Sequence, residues 1–184
     1  MSTVELIGSE RAPLLARPYF EDGDPGPIVG ALAHVPELLE VTVAFISAVL
    51  GASSIDVRTK ELVILRTSAQ LDCRYCVQSH TPVALDSGLE RAEVDALRRR
   101  GGPSEVFRDT RTRALVDWID ALTRGIGVVD ASITAAMQAQ FSDPEIVELT
   151  LLVGTTMMLN RFCTGLDLPT APATLERLAA EGFE

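Results

Sequence analysis

The stretch Asp56-Val-Arg-Thr-Lys-Glu-Leu-Val-Ile-Leu-Arg-Thr-Ser-Ala69 decides the fold class. Asp56 is a residue type that caps helix starts, and Leu62, Leu65 and Ala69 recur at spacings of three and four, the period of an α-helix with an apolar stripe. The same period continues on both sides. Pro36 to Leu50 predicts a strongly apolar helix ended by Gly51. A break at Leu71-Asp72 precedes a helix that opens at Cys73, with Asp72 as its expected N-cap, and runs towards Gly88. Pro82 inside that helix predicts a kink or a boundary between two shorter helices. Glu90 to Arg100, ended by Gly101-Gly102, Thr110 to Thr123, and Ala131 to Gln140 after an Asp130 cap read as further helices. Ser142-Asp-Pro-Glu145 is a capping-box sequence opening a long helix to about Cys163, apolar on most faces and so expected at the bundle centre or a subunit interface. No stretch keeps the strict alternation of a half-buried strand, so the chain reads as all-α, a helical bundle.

The first 27 residues differ. They contain Pro13, Pro18, Pro25 and Pro27 and the turn-rich Glu21-Asp-Gly-Asp-Pro-Gly-Pro27. Residues 1–27 therefore read as an extended arm, one that could drape over a neighbouring subunit, and residues 28–184 as a single helical domain.

Composition narrows the function classes. The chain has 184 residues, 47% of them hydrophobic and 23% charged, a globular balance. Sixteen Lys and Arg against 26 Asp and Glu give a net charge of -10, which argues against nucleic acid or anionic lipid as partners. No basic-then-apolar leader is seen, and uncharged runs fall short of the roughly 18–20 residues that span a bilayer, so no membrane span and a cytoplasmic location are expected. Three cysteines, an odd number, suit a reducing compartment rather than a disulfide scaffold.

Two of the three form the dense reactive cluster Cys73-Arg-Tyr-Cys76-Val-Gln-Ser-His80, preceded at twelve residues by Glu61. On a helix Cys73 faces Cys76 and Cys76 faces His80, so the imidazole can serve Cys76 directly. A thiol in the first helical turn feels the positive end of the dipole, which favours the reactive thiolate. If the preceding helix turns back at the break, Glu61 reaches His80, to orient it and raise its basicity or to store a proton. A zinc site would ordinarily draw its pairs from two knuckles, and one is present, so no metal and no cofactor is expected. A thioredoxin-like fold would need a strand before the pair. Lys60 and Arg66 read as exposed helix charges and Arg98-Arg-Arg100 as a C-terminal turn. His34, Cys163, Trp118 and Met157-Met158 read as core or cap residues.

Lys60-Glu-Leu-Val-Ile-Leu-Arg66, the Cys73–His80 run and Gly88-Leu-Glu-Arg-Ala-Glu-Val-Asp-Ala-Leu97 together resemble the carboxymuconolactone decarboxylase superfamily, and more closely its alkylhydroperoxidase D-like (AhpD-like) branch. Glu61, Cys73, Cys76 and His80 fit every offset of that branch's signature. The resemblance covers about Ala52 to Leu97, with Leu149 to Arg161 similar to the family's late helix.

It implies an all-α bundle assembled as trimers or hexamers, with the redox pair near a subunit boundary. It also implies a peroxidase for small hydroperoxides: Cys76 becomes a sulfenic acid, Cys73 supplies a proton and then resolves it, and His80 with Glu61 relays protons. An external dithiol or protein disulfide reductant then reopens the disulfide. One departure stands out. Tyr75 occupies the position where the best-characterised peroxidase members carry a second His, and tyrosine barely titrates near neutral pH. Two alternatives share the fold: a non-catalytic redox sensor, and a decarboxylase-like small-molecule enzyme using His80 and Glu61 without the thiols.

Overall fold

A computed structural model describes residues 2–100, 106–125 and 127–183. Among these, α-helices follow one another as α1 (Pro27–Leu32), α2 (Pro36–Leu50), α3 (Val57–Gln70), α4 (Arg74–Asp86), α5 (Arg91–Leu97), α6 (Thr110–Thr123), α7 (Ala131–Gln140), α8 (Asp143–Gly165) and α9 (Pro172–Ala180). No strand occurs among the described residues, and the all-α expectation holds. The cap of α3 forms as read, with Asp56 Oδ1 accepting the Thr59 N–H at 2.9 Å. Three expectations are corrected in detail. α4 runs unbroken through Pro82, so no boundary divides it. α5 ends at Leu97, short of Arg100, and Gly101-Gly102 lie outside the described residues. Asp130 stands at the N-cap of α7 but its side chain makes no capping bond.

The centre of the bundle is α3. Every residue from Lys60 to Ala69 is buried, and α4, α6 and α8 pack around it. This overturns the reading of Lys60 and Arg66 as exposed charges: Lys60 is 3% exposed and Arg66 0%. Burial of a charge is tolerable only when its donors are met. Lys60 Nζ donates to the Val49 and Gly51 carbonyls at 3.1 and 2.6 Å, satisfying the C-terminal end of α2, and pairs with Glu148 at 3.1 Å. Arg66 forms a fork with Asp120, Nε to Oδ1 at 2.6 Å and Nη2 to Oδ2 at 2.7 Å, and also donates to the carbonyls of Leu97 and Arg99.

α8 takes the neighbouring place rather than the central one. Its inner face buries Leu149, Leu152, Val153, Asn160 and Cys163, while Val147, Leu151 and Met158 remain exposed. Its length and mean hydropathy of 1.3 would suffice to cross a bilayer, as a long core helix's often do. α2 packs beside it and exposes Leu38, Val41 and Phe45.

The capping box predicted at Ser142 is present: the Ser142 N–H and hydroxyl both donate to Glu145 Oε2 at 2.8 Å, and Arg111 pairs with Oε1 at 2.6 Å. These bonds, the Ser142 backbone N–H foremost, hold the Glu145 carboxyl down at about 2. A carboxyl depressed in the folded state stabilises the fold above its ordinary value and loses that contribution as pH falls towards about 2. Glu145→Gln is therefore expected to cost about 1 kcal/mol at pH 7 and little at pH 2. Urea midpoints at the two pH values check this; equal deficits at both would refute it.

The N-terminal segment lies against its own chain through short 3-10 turns. Ala12, Ala16 and Phe20 are buried with Ala33 and Leu39 of the α1–α2 region. The Ile7 N–H donates to the Gly30 carbonyl at 3.0 Å, and a Cβ on Gly30 would stand 3.2 Å from the Ile7 carbonyl, so glycine permits the approach. Val4, Leu6 and Ile28 thereby roof the region where Cys73, Cys76 and Cys163 are buried.

Candidate active site

The turn between α3 and α4 builds the site. Asp72 adopts a left-handed conformation (φ 52°), which ends α3 and reverses the chain. The residue that caps α4 is then Cys73, extended at φ -79° and ψ 93°, whose Sγ accepts the Cys76 N–H at 3.4 Å. This corrects the expected Asp72 cap. In the left-handed position Asp72 closes the preceding helix, and its carboxylate pairs with Arg100 instead. The sulfur thus takes the place at the helix start where backbone N–H groups and dipole favour negative charge.

The structure brings all four predicted site residues together. Cys73 and Cys76 are free thiols sharing a hydrogen bond, Sγ to Sγ, of 2.8 Å. The reversal lays α4 along α3, so that His80 Nδ1 meets Glu61 Oε2 at 2.9 Å. A carboxylate only accepts, so Nδ1–H donates to it and a neutral ring keeps Nε2 as a lone pair. Cys76 and His80 line a cavity of about 80 Å³ with Tyr75, Ser79 and Asn160, closed by apolar residues such as Ile28, Leu50 and Leu159.

Two groups beside the thiol pair escaped the sequence reading. Cys163 of α8, expected as a core residue, is a third thiol against the pair. Asn160, one turn earlier, donates from Nδ2 to Ser68 Oγ at 3.1 Å, while its Oδ1 is buried without a partner on the same cavity. A polar amide at the end of the apolar run Leu149–Leu159 is the signal that could have marked Asn160. Nothing in the spacing of Cys163 marks it, because its neighbours come from another helix.

The three thiols divide their charge unequally. Hydrogen bonds from the Cys163 thiol, the Cys76 thiol and the Cys76 backbone N–H push Cys73 far below the usual thiol range. Cys163 draws Cys76 downwards, but the bond to Cys73 and burial outweigh it and push Cys76 up. Cys163 is pushed furthest up by donating to Cys73 and Cys76 in buried surroundings. These surroundings favour the thiolate at Cys73 over the other two sulfurs. Burial pushes the Tyr75 hydroxyl up to about 12, so it stays a neutral hydrogen-bonding group. Among the described residues no group of three or more His, Cys, Asp or Glu is placed to hold a metal ion.

An all-helical bundle with a thiol pair at a helix start and a His–Glu pair across from it is the arrangement that the AhpD-like resemblance implies. Residues 36–105 match the carboxymuconolactone decarboxylase family, so the resemblance read from the sequence is upheld. Two uncharacterized proteins of Mycobacterium tuberculosis are 33% identical over 106 residues, 58% of this chain; the chain matches only 37% of their length. A protein of unknown function from Agrobacterium tumefaciens, described as a putative antioxidant defence protein AhpD, is 26% identical with a TM-score of 0.69, covering 77% of this chain and 95% of that one. An uncharacterized peroxidase-related protein from Ralstonia eutropha JMP134 with an alkylhydroperoxidase AhpD core shares the fold at TM-score 0.78 and 16% identity, covering 94% of each chain. So does the debrominase Bmp8, in a cysteine-to-alanine form bound to 2,3,4-tribromopyrrole, at TM-score 0.81 and 16% identity, covering 98% of this chain and 99% of that one. The fold thus carries more than one activity.

Proposed function

We propose that this chain is a thiol peroxidase that reduces small hydroperoxides at Cys76 and is turned over by an external dithiol or protein disulfide reductant. The observation that carries the reading is the sulfur pair at 2.8 Å with Cys76 on a cavity shared with His80, itself held by Glu61. His80 Nε2, on the same cavity, takes the Cys76 proton and leaves a Cys76 thiolate. That thiolate attacks the near oxygen of the hydroperoxide and breaks the O–O bond; Cys76 becomes a sulfenic acid and the leaving alkoxide collects the proton from His80. The Cys73 thiolate attacks the sulfenic sulfur and expels hydroxide, which takes a proton from solvent, relayed through His80, to leave as water. The pair is oxidised by two electrons and the peroxide reduced by two. A cavity of about 80 Å³ suits a small hydroperoxide, not a bulky lipid one.

The setting is part of the proposal. Three free thiols suit the reducing cytoplasm. The apolar residues exposed side by side on α2 and α8 are a face for further copies of the chain, in a trimer or hexamer.

Intact mass before and after one equivalent of hydrogen peroxide tests the chemistry. The expected result is a loss of about 2 Da located to Cys73 and Cys76. An unchanged mass, or loss confined to other residues, overturns it. With excess peroxide and dithiol the reaction should continue through many turnovers; a stop after one equivalent would mark a redox sensor instead.

A further inference from the structure

Two openings reach the cysteine cluster, with Tyr75 on the wall of both. Cys76 lines the inner cavity with His80. Cys163 forms part of the wall of a surface pocket of about 220 Å³, with Arg74, Tyr75 and Asp167 around it. Cys73 lines neither; Cys73, Cys76 and Cys163 are 0%, 5% and 1% exposed, buried in one cluster. A disulfide left between Cys73 and Cys76 would be reached through the 80 Å³ cavity on the Cys76 side, which leaves little room for a dithiol reagent beside the bond. The proposed turnover needs an outlet, and the pocket on the Cys163 side is larger and polar at its rim, where Arg74 pairs with Asp167 at 3.0 Å.

Resting on the peroxidase reading above, we propose that Cys163 is a third redox thiol, which takes the disulfide from the Cys73–Cys76 pair and presents it to the outer pocket for reduction. Cys163 loses its proton to the water of the pocket and its thiolate attacks Cys73 sulfur. The Cys73–Cys163 bond forms as the Cys73–Cys76 bond breaks, and Cys76 leaves as a thiolate that takes a proton from solvent, relayed through His80. No electrons enter or leave in this exchange. An external dithiol then attacks Cys163 sulfur, releases Cys73, and closes its own disulfide as it frees Cys163.

The order of events follows from the charges. In the reduced protein the neighbouring Cys73 thiolate keeps Cys163 protonated and unreactive. Forming the first disulfide removes that anion, and with it the main reason for Cys163 to hold its proton. Cys163 is thus idle before peroxide arrives and becomes a nucleophile after it.

Disulfide mapping of the unaltered chain tests this without any substitution. The reduced protein is treated with one equivalent of hydrogen peroxide, quenched in acid, alkylated in denaturant and digested. The expected result is a Cys73–Cys163 linked peptide beside the Cys73–Cys76 one. Cys163→Ser, whose hydroxyl can still donate to Cys73, should still form the Cys73–Cys76 disulfide, yet once oxidised be reduced by dithiothreitol at least about tenfold more slowly than the oxidised unaltered chain. A Cys163 fully alkylated at every time point, or a Cys163→Ser protein reduced at the normal rate, overturns the outlet while leaving the peroxidase reading intact. Absence of any Cys73–Cys76 bond overturns both.

Discussion

Replacing Cys76 by serine is expected to bring hydroperoxide-dependent dithiol oxidation to the uncatalysed background, a loss on the order of 1,000-fold or more. Cys76 is the sulfur that lines the cavity with His80. A serine hydroxyl there is neither a thiolate at neutral pH nor able to form a sulfenic acid. The Cys73 thiolate survives in the variant but is fully buried and faces no cavity, so it cannot substitute. The deficit should lie in turnover and not in folding, since serine replaces a buried side chain of nearly the same shape. Initial rates of dithiothreitol oxidation under hydrogen peroxide, beside a urea unfolding curve, separate the two. Full activity in a folded Cys76→Ser protein would rule out the mechanism and point to His80 and Glu61 acting without the thiols.

Arg66→Ala carries the largest expected effect on stability, a loss of about 3–5 kcal/mol. The guanidinium is 0% exposed and meets both oxygens of Asp120 and the carbonyls of Leu97 and Arg99. Truncation leaves Asp120 with Gln70 and the half-exposed Arg124 as its remaining partners, two carbonyls without this donor, and a void in the central helix. Removing both charges is expected to cost less than removing one, so Arg66→Met with Asp120→Leu should recover part of the loss. Urea midpoints followed by circular dichroism measure both. A loss under about 1 kcal/mol for Arg66→Ala would show that the buried fork is dispensable.

The two substitutions probe different layers of what could be read from the chain. The helices were legible because caps and apolar spacing are local: Asp56, Ser142 with Glu145, and Gly51 each mark an end through bonds to residues within four positions. The Glu61–Cys73–Cys76–His80 spacing was legible for a related reason. Three of the four lie on one helix, and a single reversal brings the fourth across to His80. The reading of Lys60 and Arg66 as surface charges went wrong because a charge is ordinarily solvated, and the groups that satisfy these two come from α2, α5, α6 and α8. No window of sequence contains those partners.

The cysteines show the same boundary. Sequence alone determined an all-helical chain with a thiol pair at a helix start and a histidine placed to serve its second member, because dihedral preference, capping and helical period act over a few residues. Only the tertiary structure decided that Asp72 turns away and leaves Cys73 as the cap, that Cys73 is the sulfur whose surroundings favour the thiolate, and that Cys163 joins the pair from α8. Those outcomes depend on which helices α3 packs against, and packing is settled by burial of the whole chain at once.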